Sequence, residues 1–193
     1  MFRLILICFL TFPACAYKFG YIDQNLPLDI EKVHIPPFKN KTLFVGPELD
    51  FTNQLIKEFK RSRVGELVSV NQAQGILQGR VISIQRIQRA QEIQPRQGQL
   101  KSTGMVNLPR GTLLTTEYLL RVKVELQLRR PNSTKIIWKQ WFTDETIYPS
   151  ARLALENINT ATPNYTYSEE QRVIESLAGV MMQEAVGRLT EGF

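Results

Sequence analysis

The chain has 193 residues, a formal net charge of +6, 43% hydrophobic and 22% charged residues. That length suits one well-buried core and is short for two, and average globular usage excludes disorder along most of the chain.

The first fourteen residues have the layout of a secretory signal: one charge at Arg3, an apolar run from Leu4 to Phe12, then small Ala14 before Cys15. The run is too short to cross a bilayer as a helix. A stop at cysteine predicts a lipoprotein signal over residues 1–14, with Cys15 acylated as the new N-terminus and residues 15–193 forming a single domain. Phe12 and Pro13 depart from that pattern, which normally carries leucine and a small residue there. The other reading makes Cys8 and Cys15 ordinary residues of a cleaved signal or of a buried anchor helix. Under the first reading Cys8 leaves with the signal, so the mature chain has no cysteine pair for a disulfide or a thiolate metal site.

Residues 31–38 place Val33 and Ile35 on one face of a short strand that Pro36 and Pro37 end, because proline cannot donate to a ladder. Leu49, Thr52, Leu55, Ile56 and Phe59 then recur at helical spacing, predicting a helix from about Glu48 to Arg61. Val64 to Val70 reads as a strand reached by a parallel crossover. From Ile76 to Arg89 the pattern is strand-like but changes parity: Ile76, Ile82 and Ile84 are even, Leu77, Val81 and Ile87 odd. A bulge or burial on both faces would account for it.

The clearest alternation runs from Glu117 to Arg130, with Tyr118, Leu120, Val122, Val124, Leu126 and Leu128 on one face and Glu117, Arg121, Lys123, Glu125, Gln127 and Arg129 on the other. Pro131-Asn132-Ser133 predicts a hairpin turn into a strand over 135–145, from which Ile136, Trp138 and Phe142 can join the core. Trp138 and Trp141, three apart, should face opposite sides, with Trp141 either beside the basic side chains or packed beneath a loop. Ser168 and Gln171 form a capping-box pattern opening a last helix with Val173, Leu177, Val180, Met181 and Leu189, ending near Thr190 with Gly192 as its cap. The connections 90–116 and 147–167 are long for a compact domain, the second with a helical turn expected at 152–158, and loops of that length are usually functional or disordered.

Charge is localised. Residues 76–130 carry ten basic side chains against three acidic ones, a net of +7, whereas 167–193 carries −3. If the two long strands pair, Arg80, Arg86 and Arg89 come near Arg121, Lys123 and Arg129 as a basic stripe suited to phosphate oxygens. A solvated, edge-protected sheet face is the alternative. In a cytoplasmic protein nucleic acid would be the default partner, and the export signal argues against it.

Catalytic patterns are missing from the sequence. His34 stands alone on the first strand, no phosphate loop, zinc-binding helix or spaced Cys/His cluster occurs, and Glu169-Glu170 is explained by a helix dipole at a first turn. No cofactor and no metal site are expected.

The ordered set of features resembles the lipopolysaccharide-assembly lipoproteins called LptE. The resemblance runs from Cys15 and the aromatic-glycine segment Tyr17, Phe19, Gly20, Tyr21 through Leu26-Pro27, the strand from Val33 to Thr42, and Leu49, Thr52, Asn53 and Leu55. It resumes at Ala73 to Gly79 and the long strand Tyr118 to Leu128, and ends at Arg188 to Phe193. It implies an α+β fold, two helices packed on one face of a mixed four- to five-stranded sheet, and an outer-membrane lipoprotein facing the periplasm. It also implies a one-to-one plug complex with the LptD barrel and binding of lipopolysaccharide by basic side chains, here the stripe Arg80, Arg86, Arg89, Arg121, Lys123 and Arg129. The strand-Pro-Phe-x-Asn segment is also similar to periplasmic lipoproteins that activate peptidoglycan synthases or build secretion pores, and a binding protein of that kind is the runner-up; an enzyme is the less favoured rival.

Overall fold

The alternating run around Tyr118 to Leu128 is an interior strand of the sheet, its inward aliphatics joining the core under the helices and its outward Arg121 and Lys123 exposed. The structure, a computed structural model, describes residues 26–93, 113–149 and 163–191. Its strands are β1 (Lys32–His34), β2 (Lys39–Asn40), β3 (Glu66–Leu67), β4 (Gly75–Ile93), β5 (Leu113–Arg129) and β6 (Ile136–Pro149), and its helices α1 (Pro47–Ser62) and α2 (Pro163–Glu191). The sheet order is β3-β1-β4-β5-β6, with β2 also pairing with β4. Pairs among β1 to β4 are parallel and the β4-β5-β6 meander is antiparallel, so the sheet is mixed, and both helices cover one face.

The N-terminal pieces follow from proline and helix chemistry. β1 stops at His34, just before Ile35 and the two prolines, and the His34 ring donates from Nδ1 to the Val68 carbonyl at 3.1 Å, tying β1 to the segment after β3. The crossover expected at 64–70 is the parallel pair β1–β3. Gly46, at φ 103, turns the chain into α1, and Pro47 suits a first helical position whose N–H has no intrahelical partner. Phe51, Thr52, Leu55 and Phe59 form the buried face of α1. Leu49 is 60% exposed, contrary to the spacing argument, because Phe51 and Leu55 set the inward direction and Leu49 lies off it. Thr52 compensates its burial by accepting the Phe38 N–H at 2.9 Å and donating to the Glu48 carbonyl at 2.5 Å.

α2 starts at Pro163, five residues before Ser168, so the expected capping box lies inside the helix, and the proline provides the start instead. Its buried residues are Ile174, Leu177, Ala178, Met181, Met182, Ala185, Val186 and Leu189, a broad face packed on α1 and the sheet; Val180, expected inside, is 57% exposed. Glu170 is buried rather than a solvated dipole partner. It accepts the Tyr148 hydroxyl at 3.1 Å, and the Arg86 guanidinium lies 3.6 Å away and 5.4 Å over the Tyr118 ring. Tyr118 stacks on Tyr148 at 5.6 Å. Burial, then the Glu170 charge, push the Tyr148 hydroxyl above its ordinary range, so it stays protonated and donates.

β4 and β5 extend further than expected, to Ile93 and from Leu113, and β6 runs on to Pro149. The middle of the 90–116 connection, the helical turn proposed at 152–158, Gly192 and Cys15 lie outside the described residues. Among the described residues β6 is an edge strand, and one of its N–H groups, that of Glu145, is taken by its own neighbour Asp144 at 2.8 Å, which withholds that donor from another chain.

Gly79 on β4 faces Leu126 and sits directly under the Phe38 ring, so close that an added Cβ would lie within the ring's van der Waals surface. Phe38 is itself buried and stacked on Phe51 at 5.9 Å, so the ring has little room to retreat. Gly79→Ala is expected to lower stability by about 1–3 kcal/mol through overpacking, measured as a fall in the urea midpoint, and Phe38→Leu in the same chain should recover part of it.

Candidate functional site

The face of β4-β5-β6 away from the helices is the candidate surface, and the register arranges it in rows of three residues. Starting near the β5–β6 turn, Gln127 lies between Gln78 and Lys139, and then Glu125 between Arg80 and Trp141. Next come Lys123 between Ser83 and Thr143, Arg121 between Gln85 and Glu145, and Leu119 between Ile87 and Ile147. Successive rows are about 7 Å apart along the strands. Polarity therefore changes from amide and cation at one end to a purely aliphatic row at the other.

The bulge decides this arrangement. Between Val81 and Ser83 the β4 register shifts by one residue, the irregularity signalled by the change of parity. Before it, Leu77 and Val81 point into the core; after it, Ile84 and Arg86 take the helix side and Ser83, Gln85 and Ile87 the open side. A second shift at Leu128/Arg129 places Ile136 opposite Arg129 on the open face, 44% exposed, instead of in the core. Phe142 is buried and Trp138 partly buried as expected, and Trp141 is 55% exposed on the open face.

The six basic residues singled out in the sequence do not form one continuous stripe. Arg80, Arg121, Lys123 and Arg129 share the open face, whereas Arg86 lies on the helix side with Glu170 and Tyr118. Arg89 is exposed next to the register shift near Ala90. Arg80 pairs with Glu125 at 3.2 Å, Arg121 with Glu145 at 2.7 Å, and Arg129 donates to the Pro131 carbonyl at 3.4 Å. Lys123 and Arg89 have no ion-pair partner among the described residues. Counting charges along the chain missed Glu145 and Lys139, because the β6 register that brings them in is not local in sequence.

Glu125 is the electrostatic centre of the face. Its carboxylate is 3.0 Å from Lys139 Nζ, accepts the Trp141 indole N–H at 2.9 Å and pairs with Arg80, while the Lys139 ammonium sits 4.9 Å over the Trp141 ring. Burial by itself disfavours the charged form, but the bonds from Lys139 and Trp141 and the charges of Lys139 and Arg80 outweigh it and hold the carboxyl below its ordinary 4.5. Trp141 is thereby clamped onto the open face with one ring face beneath a cation. Among the described residues no cluster of metal-ligating side chains occurs.

A model of the lipopolysaccharide-assembly family LptE matches residues 30–190. The chain belongs to the LptE family. No curated protein matches its sequence. The chain is similar in fold to a crystal structure of a Xanthomonas campestris protein, with 9% identity, a TM-score of 0.50 and 86% of each chain covered. Weaker likenesses include a minor lipoprotein of Acinetobacter baumannii, at 16% identity and TM-score 0.46 over 85% of this chain and 93% of that one. Rare lipoprotein B of Shewanella oneidensis follows at 13% identity and TM-score 0.44, over 82% and 90%. At 9% identity the Xanthomonas likeness speaks only to the fold. The two helices on one face of a mixed sheet, expected from the sequence, are thus the LptE arrangement, and the match includes every strand of the open face.

Because the folded-state pKa of Glu125 is depressed, its ionisation adds stability that is present above the ordinary value of 4.5 and lost as pH falls through the lowered folded value. Glu125→Gln should therefore lower the urea midpoint near pH 7 and have a smaller effect at a pH below the lowered folded value, where the parent carboxyl is itself protonated. An equal loss at both pH values would assign the effect to packing instead.

Proposed function

We propose that this LptE-family protein is an outer-membrane lipoprotein, processed after residue 14 and acylated at Cys15, that faces the periplasm. It forms a one-to-one plug complex with an LptD-type β-barrel and assists transport of lipopolysaccharide to the outer leaflet. It works by binding and carries no catalytic step or cofactor. The observation that supports this reading most is the family match across residues 30–190, joined to an open sheet face on which cations adjoin an aliphatic row. Acyl chains on Cys15 would contribute about 0.8 kcal/mol per buried methylene, enough in combination for a stable tether.

The open face fits the chemistry of a phosphorylated glycolipid. Phosphates of lipid A lie beside the roots of its acyl chains, and here the Lys123 and Arg121 rows lead directly to Ile87, Leu119 and Ile147, with exposed Trp141 on the other side of Lys123. Of the candidates Arg80, Arg86, Arg89, Arg121, Lys123 and Arg129, we assign the leading role to Lys123 and Arg89. An arriving phosphate need not displace an existing carboxylate from them, whereas Arg80, Arg86 and Arg121 are engaged by Glu125, Glu170 and Glu145.

Affinity purification of the full-length protein from detergent-solubilised outer membranes tests the complex: a β-barrel protein should be recovered in equal amount, and its absence would overturn the plug reading. For the glycolipid, Lys123→Glu with Arg89→Glu should weaken lipopolysaccharide binding about tenfold at low salt, with the effect fading at about 1 M salt, where the Debye length is ~3 Å. The thermal midpoint should hardly move, because both side chains are exposed. Arg80→Ala should do the opposite, lowering stability by depriving Glu125 of a cation.

A further inference from the structure

The segment between β2 and α1 is held more firmly than its exposure suggests. Asn40 Nδ2 donates to the Phe44 carbonyl at 2.6 Å and to Glu48 at 2.9 Å, and its Oδ1 accepts both the N–H and the hydroxyl of Thr42 at 2.8 Å. The Thr42 hydroxyl in turn accepts the Phe44 N–H at 3.2 Å. From α2, Gln171 Nε2 donates to the Val45 carbonyl at 3.1 Å and to the Tyr167 hydroxyl at 3.2 Å. Phe44 packs against the core, and its neighbours are forced outward: Leu43 is 101% exposed, Val45 74% and Leu49, in the first turn of α1, 60%. Tyr167, tied in through Gln171, is 54% exposed.

Aliphatic side chains in a slack loop can fold back on the protein; here the hydrogen bonds prevent it, so an apolar tip is presented in a fixed shape. Ordering such a tip on binding requires little further entropy, the condition under which a small apolar contact contributes most to affinity. Its surroundings identify the occupant. Glu48 and Asp50 lie in the same turn of α1 as Leu49, and Glu175 of α2 is near enough to act on Asp50, against one exposed cation on the loop, Lys41. An anionic headgroup layer would be repelled by that acidic rim, whereas an apolar protein pocket edged by Arg or Lys complements it.

We propose that Leu43, Val45 and Leu49 form a preformed knob that seats in an apolar, basic-rimmed pocket of a protein partner, and that this partner is the barrel. The inference rests on the plug reading above and assigns it a point of grip. The knob leads into the helix layer, so its engagement leaves the open sheet face available to glycolipid.

The test uses the full-length tagged protein recovered from detergent-solubilised outer membranes. Leu43→Glu with Val45→Glu should reduce co-purifying barrel about tenfold or more, with an unchanged thermal midpoint and unchanged lipopolysaccharide binding. Leu43→Ser with Val45→Ser should act in the same direction without adding charge. Val70→Glu, at an exposed aliphatic away from the knob, should recover as much barrel as the parent. Parent-level recovery by both knob variants would overturn the knob and leave the plug reading standing, whereas no barrel with the parent would overturn both. Knob variants that retain the barrel but stop floating with vesicles of phosphatidylglycerol and lipopolysaccharide would make a lipid surface the occupant and overturn the proposal.

Discussion

One register shift, at Ile82 between Val81 and Ser83, determines how β4 divides its side chains between the two faces of the sheet. A strand alternates with period two, so a single inserted residue exchanges inside for outside along everything beyond it. Without the shift, Arg86 would stand on the open face with Arg121 and Lys123, and Ile87 would lie beneath the helices. With it, Arg86 is directed to Tyr118 and Glu170, and Ile87 joins Leu119 and Ile147 outside. The bulge thus removes one cation from the open face and adds an aliphatic row to it.

The same constraint accounts for how the helix layer is secured. Arg86 on the inner side meets Glu170 of α2 at Oε1, the same oxygen accepts the Tyr148 hydroxyl, and the guanidinium lies over the Tyr118 ring, itself stacked on Tyr148. A buried carboxylate is tolerable only when it is paired in this way. A polar contact at one end of the sheet therefore complements the apolar contact of Met181, Met182 and Leu189 farther along α2. On the opposite face Glu125 performs a comparable task for Arg80, Lys139 and Trp141. Two carboxylates, one on each side of the sheet, thus engage two of the six cations that sequence counting had grouped together, Arg80 and Arg86, and Glu145 engages a third, Arg121.

Charge localisation and charge availability are consequently different quantities in this protein. The excess of +7 in residues 76–130 belongs to the sequence, but Glu145, Glu170 and Lys139 lie outside that window and are brought to it by the fold. The surface that remains combines a few uncommitted cations with exposed aliphatic and indole groups, a composition better matched to an amphiphile than to a simple polyanion.

Local patterning determined a good deal. The period-two run of β5, the proline stop after β1, the crossover to β3, the hairpin to β6 and the opposed directions of Trp138 and Trp141 all follow from side-chain alternation and backbone chemistry within a few residues, and the ordered motifs pointed to the LptE family. The parity change in β4 was legible as an irregularity. Its position was not, because only pairing with β5 shows which residue is extra. The start of α2 at Pro163, before its apparent capping box, is local proline chemistry; tertiary structure alone decided that Leu49 and Val180 stay outside, that Glu170 is buried and that Ile136 leaves the core. Each of those outcomes depends on a partner distant in the chain, and helical or strand periodicity carries no information about which of two adjacent apolar residues that partner will meet.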